Sequence, residues 1–145
     1  MEYRCIVCPI DDSGFTLKAE ETAAYLSQVT GARLVLVYVM QKWYNADVLV
    51  TDSEEWSAIH KRWLEEGQEL LEREADKLRA KGVKFIKTEL RDGETSYEII
   101  QLAYEQHANL IVMATERASL AEKILGNSVS YNVTNNSPCP VLWVY

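Results

Sequence analysis

Short apolar runs alternate along this chain with longer stretches whose apolar positions recur every three or four residues. Cys5-Ile-Val-Cys-Pro-Ile (within Arg4 to Ile10), Leu34-Val-Leu-Val-Tyr-Val (within Arg33 to Met40) and Leu110-Ile-Val-Met113 are continuous rather than alternating. That pattern predicts strands covered on both faces. Pro9 has no N–H to give a ladder, so it belongs at the end of the first strand. Val83 to Leu90 is more polar and predicts a strand at a sheet edge. Val141 to Tyr145 predicts the last strand. Helical spacing fills the gaps. One helix runs from about Thr16 to Thr30, with Gly31 to close it. A long one opens at Asp52, where Asp52 and Glu55 have capping-box spacing. It carries Trp56, Ile59, Trp63, Leu64, Leu70, Leu71 and Leu78 and ends before Gly82. Gly67 is its weak point. Thr95 to His107, with Thr95 and Glu98 as a second capping box and Asn109 near its C-cap, predicts a third helix. Leu120 to Val133 predicts a fourth.

Strands that alternate with helices imply a parallel sheet with helices on both faces. In such sheets ligands lie beyond the carboxyl ends of the strands, where helix N-termini point at them. The polar turn Ala114 to Ser119, after a buried strand, should therefore form one wall of any site. At 145 residues the expectation is one domain, 1–145.

Charge narrows the partners. The formal net charge is -7, and nucleic-acid binding depends on Lys and Arg neutralising phosphates, so nucleic acid is not an expected partner. No leader pattern and no apolar run near about 18 residues is present, so a cytoplasmic protein without a membrane partner is expected. Cysteine numbers only 3, which does not suit a disulfide framework. The glycosylation patterns Asn132-Val-Thr134 and Asn135-Asn-Ser137 are then chance matches.

Individual chemistries are incomplete. Asp11 and Asp12 follow the first strand, as metal-binding acids do in phospho-receiver domains, but Trp143-Val-Tyr145 supplies no lysine. The plain expectation for the pair is a solvated turn that caps the next helix. Cys5 and Cys8 have redox spacing, yet on a strand they face opposite sides. Cys139, between two prolines, reads as a small packed residue. His60 and His107 each lack a second ligand or a nucleophile at useful spacing, so structural or surface roles are expected. Trp56 and Trp63 make a packed stripe. Trp43 and Tyr44 lie in a loop and suggest a contact surface. The glycine-rich signatures of P-loops and dinucleotide folds are absent.

Taken together, Cys8-Pro-Ile-Asp-Asp-Ser13, Asp92-Gly93, Leu110-Ile-Val-Met113, Ile124 to Val129 and Ser137-Pro-Cys-Pro-Val-Leu-Trp-Val144 resemble the universal stress protein family along essentially the whole chain. The resemblance implies a three-layer α/β sandwich with a five-stranded parallel sheet. This fold is Rossmann-like and of the adenine-nucleotide α-hydrolase type. It implies a homodimer through the last strand, here Val141, Leu142, Trp143, Val144 and Tyr145. An exposed apolar edge is a liability unless paired. One branch of the family binds ATP through an Asp after the first strand and a Gly-x-x-Gly that is followed further on by Gly-Ser/Thr. Laid on this chain, those positions fall on Asp11, Ala114, Arg117, Asn127 and Ser128, and Val39 and Val129 complete the implied nucleotide contacts. Only Asp11 and Ser128 keep their type. Arg117 puts a long side chain where bare backbone would meet phosphate, and Glu116 adds an opposing charge. Arg117 is expected to partly fill the cradle and pair with Asp11. The expected function is a homodimeric stress-response protein that acts without catalysis through an unidentified protein partner, its nucleotide binding weakened or lost. The alternative is an ATP/AMP-binding switch, with ATP and magnesium bound and hydrolysis at most slow. No metal site and no catalytic residue is expected.

Overall fold

The computed structural model describes residues 2–41, 54–115 and 129–145. Five strands, β1 (Cys5–Pro9), β2 (Arg33–Met40), β3 (Ile86–Asp92), β4 (Leu110–Ala114) and β5 (Val141–Val144), form one sheet in the order β3-β2-β1-β4-β5. All four pairings are parallel. The chain winds outward from β1 to β3 on one side, then returns to β4 and β5 on the other. The order therefore reverses beside β1, where an open α/β sheet leaves a crevice.

The continuous apolar runs are explained by what covers each face. Ile6, Cys8, Leu34, Leu36, Leu110 and Val112 pack against α1 (Leu17–Thr30) and α2 (Glu54–Ala80). Cys5, Val7, Val35, Val37, Ile111 and Met113 pack against α3 (Thr95–Glu105) and α4 (Val129–Asn136). Successive strand residues point to opposite layers, so both sets must be apolar. The expected parallel α/β sandwich is what forms. Pro9 does end β1, and the polar strand β3 does lie at the edge.

Several boundaries differ from expectation for local chemical reasons. Val83 is buried outside β3, and its N–H donates to Leu78 O at 3.1 Å to close α2. The strand therefore starts later, at Ile86, and pairs with β2 as far as Asp92 against Met40. Gly67 does not interrupt α2. A Cβ there would sit 2.7 Å from Leu90 Cδ1 and 3.3 Å from Tyr38 Cδ1, so glycine lets the helix lie close on β2 and β3. Thr95 does not cap α3. The cap is Glu94, whose carboxylate accepts from the N–H groups of Ser96 and Tyr97 at 3.1 and 2.7 Å. α3 stops at Glu105, and His107 follows with φ of 51°. Asn109 instead ties the strand starts together, its Oδ1 accepting from the N–H groups of Arg4 and Cys5 at 2.7 and 3.0 Å. α4 runs on to Asn136, beyond Val133. The expected start of that helix at Leu120, and the cap at Asp52, lie outside the described residues. Among the described residues no helix is long and apolar enough to cross a membrane.

Candidate functional site

The turn after β1 is built by its own side chains. Ile10 N–H donates to Val37 O at 2.8 Å, which holds the chain beside β2 one residue past the ladder. Asp11 Oδ1 then accepts from Ser13 N–H at 3.0 Å and from Ser13 Oγ at 2.5 Å. Ser13 Oγ in turn accepts from Phe15 N–H at 3.1 Å. Gly14 supplies the positive φ of 78° that closes the turn. The acid pair was expected to cap α1, but Asp11 is spent on Ser13. The cap position falls to Thr16, whose side chain makes no capping bond. Thr16 Oγ1 accepts the Asp11 N–H at 3.3 Å instead.

Beyond the carboxyl ends of β1, β2 and β4 lies a cavity of about 500 Å³. Ile10, Ile99 and Met113 give it apolar walls, and Asp11, Thr16, Gln41 and Thr95 give it polar groups. Such a volume and such a mixture suit a small organic ligand. The starts of α1 and α3, at Thr16 and Thr95, and the first described turn of α4, at Val129, all border it. Helix N-termini carry positive partial charge, but at α3 the Glu94 carboxylate already takes the N–H groups of Ser96 and Tyr97, which leaves the start of α1 to favour an anion. Asp11 is the carboxylate among the described lining residues. Tyr38, half-buried in the wall, has its phenol pushed above the ordinary range by burial and by Asp12, Asp11 and Glu66.

Of the residues expected to contact nucleotide, Asp11, Val39, Ala114 and Val129 line this one cavity. Arg117, Asn127 and Ser128 lie outside the described residues, as do Glu116 and the aromatic loop residues Trp43 and Tyr44. Thr16, Tyr38 and Thr95 were missed by sequence reasoning. Thr16 and Thr95 stand at predicted helix starts, which was signal enough to name them. Tyr38 is the one polar-tipped residue in the apolar run Leu34 to Met40.

The remaining candidates have structural surroundings. Cys5 and Cys8 are free, buried and directed to opposite layers, and burial pushes the Cys8 thiol far up. Cys139 is half-buried against the second layer. His60 Nε2 lies 3.5 Å from Asp92 Oδ2, and His107 is exposed. Trp56 and Trp63 meet edge to face with ring centres 5.4 Å apart. Among the described residues no group of three or more His, Cys, Asp or Glu side chains is placed to hold a metal ion. Val141 to Val144 form the end strand of the sheet, with Leu142 and Tyr145 exposed.

A parallel sheet in this order, with a cavity at its switch point and helix starts around the rim, defines a Rossmann-like α/β protein with a cavity at the strand ends, where such folds place ligands. The chain belongs to the universal stress protein family, whose model matches residues 2–144. A universal stress protein of Methanocaldococcus jannaschii is 34% identical over 142 residues, which span 98% of this chain and 82% of the relative. One from Bacillus subtilis is 29% identical over 98% of this chain and 99% of its own. Among solved structures, the universal stress protein UspA from Lactobacillus plantarum superposes with a TM-score of 0.81 at 18% identity, covering 100% of this chain and 99% of its own. A universal stress protein in complex with cAMP gives 0.75 at 22% identity over 100% and 98% of the two chains. One from Archaeoglobus fulgidus in complex with dAMP gives 0.70 at 20%, over 100% of each.

Proposed function

We propose that this chain is a non-catalytic, homodimeric stress protein whose cavity takes the nucleoside end of an adenine nucleotide, while its hold on a triphosphate is weakened. The observation that carries this is the meeting of Asp11, Val39, Ala114 and Val129 around one cavity of about 500 Å³. Structures of the same fold in complex with cAMP and dAMP lend support, since both ligands are adenine monophosphates. The weakening is argued from sequence. Ala114 and Arg117 stand where the ATP-binding pattern has glycine, and a bare backbone is what lets phosphate oxygens reach N–H groups. Magnesium would arrive with the phosphates, because Asp11 alone cannot hold it. The reading as non-catalytic rests on the sequence, which carries no complete catalytic motif.

Calorimetric titration with adenosine, AMP and ATP with magnesium tests this. The expected result is AMP and ATP binding within about threefold of each other, which corresponds to under about 1 kcal/mol from the outer phosphates. ATP bound more than about a hundredfold tighter than AMP would show an intact triphosphate cradle. No binding by any of the three would leave the cavity without its nucleoside role.

A further inference from the structure

Two carboxyl groups are buried where α1 meets α2. Glu20 is 3% exposed and Glu74 is 7% exposed. Glu74 is compensated, with Lys77 Nζ at 3.0 Å and Arg73 Nε at 3.5 Å from its Oε1. Among the described residues Glu20 makes no ion pair, and Lys77 acts on it only at longer range. Its Oε2 takes a hydrogen bond from Thr16 Oγ1 at 3.2 Å. Among the described residues no N–H or O–H donor reaches its buried Oε1. The other group in hydrogen-bonding range is the Glu74 carboxyl. Two ionised carboxylates only accept, so a bond between them requires that one be protonated. Lys77 and Arg73 keep Glu74 charged, so the proton resides on Glu20.

We infer that Glu20 and Glu74 share one proton in mildly acid solution, and that this proton fastens α1 to α2 beneath the cavity until it is lost around neutral pH. The surroundings agree. Burial, and then the Glu74 charge, push the Glu20 carboxyl up to about 7. From β1 the neighbouring titratable group is Cys8, a buried neutral thiol. From β4 the residues packed here are apolar, Leu110 and Val112. From α2 the charged groups are Glu74, Lys77 and Arg73. Lys77 lowers the Glu20 pKa but less than burial and Glu74 raise it. The pair is one side chain away from the cavity wall, because Thr16 Oγ1 bonds both Glu20 and the Asp11 N–H.

The sign is fixed by linkage. The folded chain holds the Glu20 proton more tightly than the unfolded chain does. The stabilisation is thus complete at acid pH, below the usual glutamate range, and is lost as pH rises through about 7. Two measurements on the ligand-free protein test this, so neither depends on the nucleotide reading. First, in protein labelled with carbon-13 only at glutamate side-chain carboxyls, one resonance should titrate near neutral pH in wild type and be missing in Glu20→Gln. Second, the fall in thermal midpoint between about pH 5.5 and about pH 8.5 should exceed that of Glu20→Gln by roughly 4 °C, because glutamine is neutral throughout. If every glutamate of the wild type titrates in the ordinary acid range, the shared proton does not exist. That arm needs no variant to fold. Parallel midpoint curves for the two proteins would equally overturn the proposal.

Discussion

Asp11 is oriented before any ligand arrives, because Ser13 grips its Oδ1 from both the backbone N–H and the hydroxyl. A preorganised acceptor loses little freedom on binding, and its hydrogen bond counts nearly in full. Asp11→Ala should weaken adenosine binding by about thirtyfold, the equivalent of about 2 kcal/mol for a bond to a charged group. Ser13→Ala should cost less, since it frees the carboxylate without removing it. Calorimetry on both variants, with circular dichroism to show an intact fold, reads the difference. Equal affinities for wild type and Asp11→Ala would remove Asp11 from the site. Elsewhere a single backbone angle matters. Gly31 closes α1 with φ of 75°, and its N–H donates to Ser27 O at 2.9 Å. A Cβ there meets nothing within 4 Å, so only backbone strain opposes it. Gly31→Ala should lower stability by about 1 kcal/mol in urea unfolding, and Gly31→Asn by less.

Among the elements, α3 depends on an unusual cap. Glu94 occupies the cap with an extended backbone, φ -76° and ψ 129°, and its longer side chain still reaches two of the N–H groups that the first turn leaves unpaired. Glu94→Ala should shift the urea midpoint by the equivalent of about 1 kcal/mol. Those hydrogen bonds hold the carboxyl below its ordinary range even against burial. Its contribution is therefore present above the unfolded glutamate pKa and fades as pH falls through the lower folded value. The difference between wild type and Glu94→Ala should shrink in strongly acid solution, and a difference constant with pH would count against the charged cap. The sequence misled here because Thr95 and Glu98 have capping-box spacing. What decided the matter was which side chain reached the orphan N–H groups, and spacing does not encode that. The strands were legible for the opposite reason. Burial on both faces leaves an unbroken apolar run, as in Leu34 to Val37. Glu74 was legible in principle, since it lies between Leu71 and Leu78 on the buried stripe of α2. A charged residue at a core position signals a partner, but periodicity cannot say that the partner is Glu20 on another helix. One wall of the cavity was legible through Asp11 and Ala114, at the ends of predicted strands. The floor needed the fold, because Thr16 and Ile99 meet only when α1 and α3 are both in place.

At the scale of the whole molecule, β5 sets the question of assembly. It pairs with β4 along one side, and its other side is the end of the sheet. The strand is Val-Leu-Trp-Val, with little charge or proline to discourage pairing. A second copy laid antiparallel across it would extend the ladder along that side of both strands. Four residues of ladder bury too little for a stable dimer, which needs about 1,000 Å² or more. A dimer built on this edge would need the neighbouring helix as well. Trp143 Nε1 donates to Thr134 Oγ1 at 3.1 Å, which places α4 alongside β5, and Tyr131 and Tyr145 are exposed there. Light scattering behind size exclusion should find a dimer at about 10 μM, a usual concentration for a micromolar or tighter contact. Leu142→Lys should convert it to a folded monomer, because a lysine on the edge opposes a second strand. Each protomer carries a net -7, so two copies repel each other at long range. Raising salt screens that repulsion within about 10 Å at 0.1 M, so the dimer should tighten with salt rather than loosen. A contact dominated by ion pairs would show the opposite trend. A wild-type chain that stays monomeric at every salt concentration would show that β5 is covered in some other way.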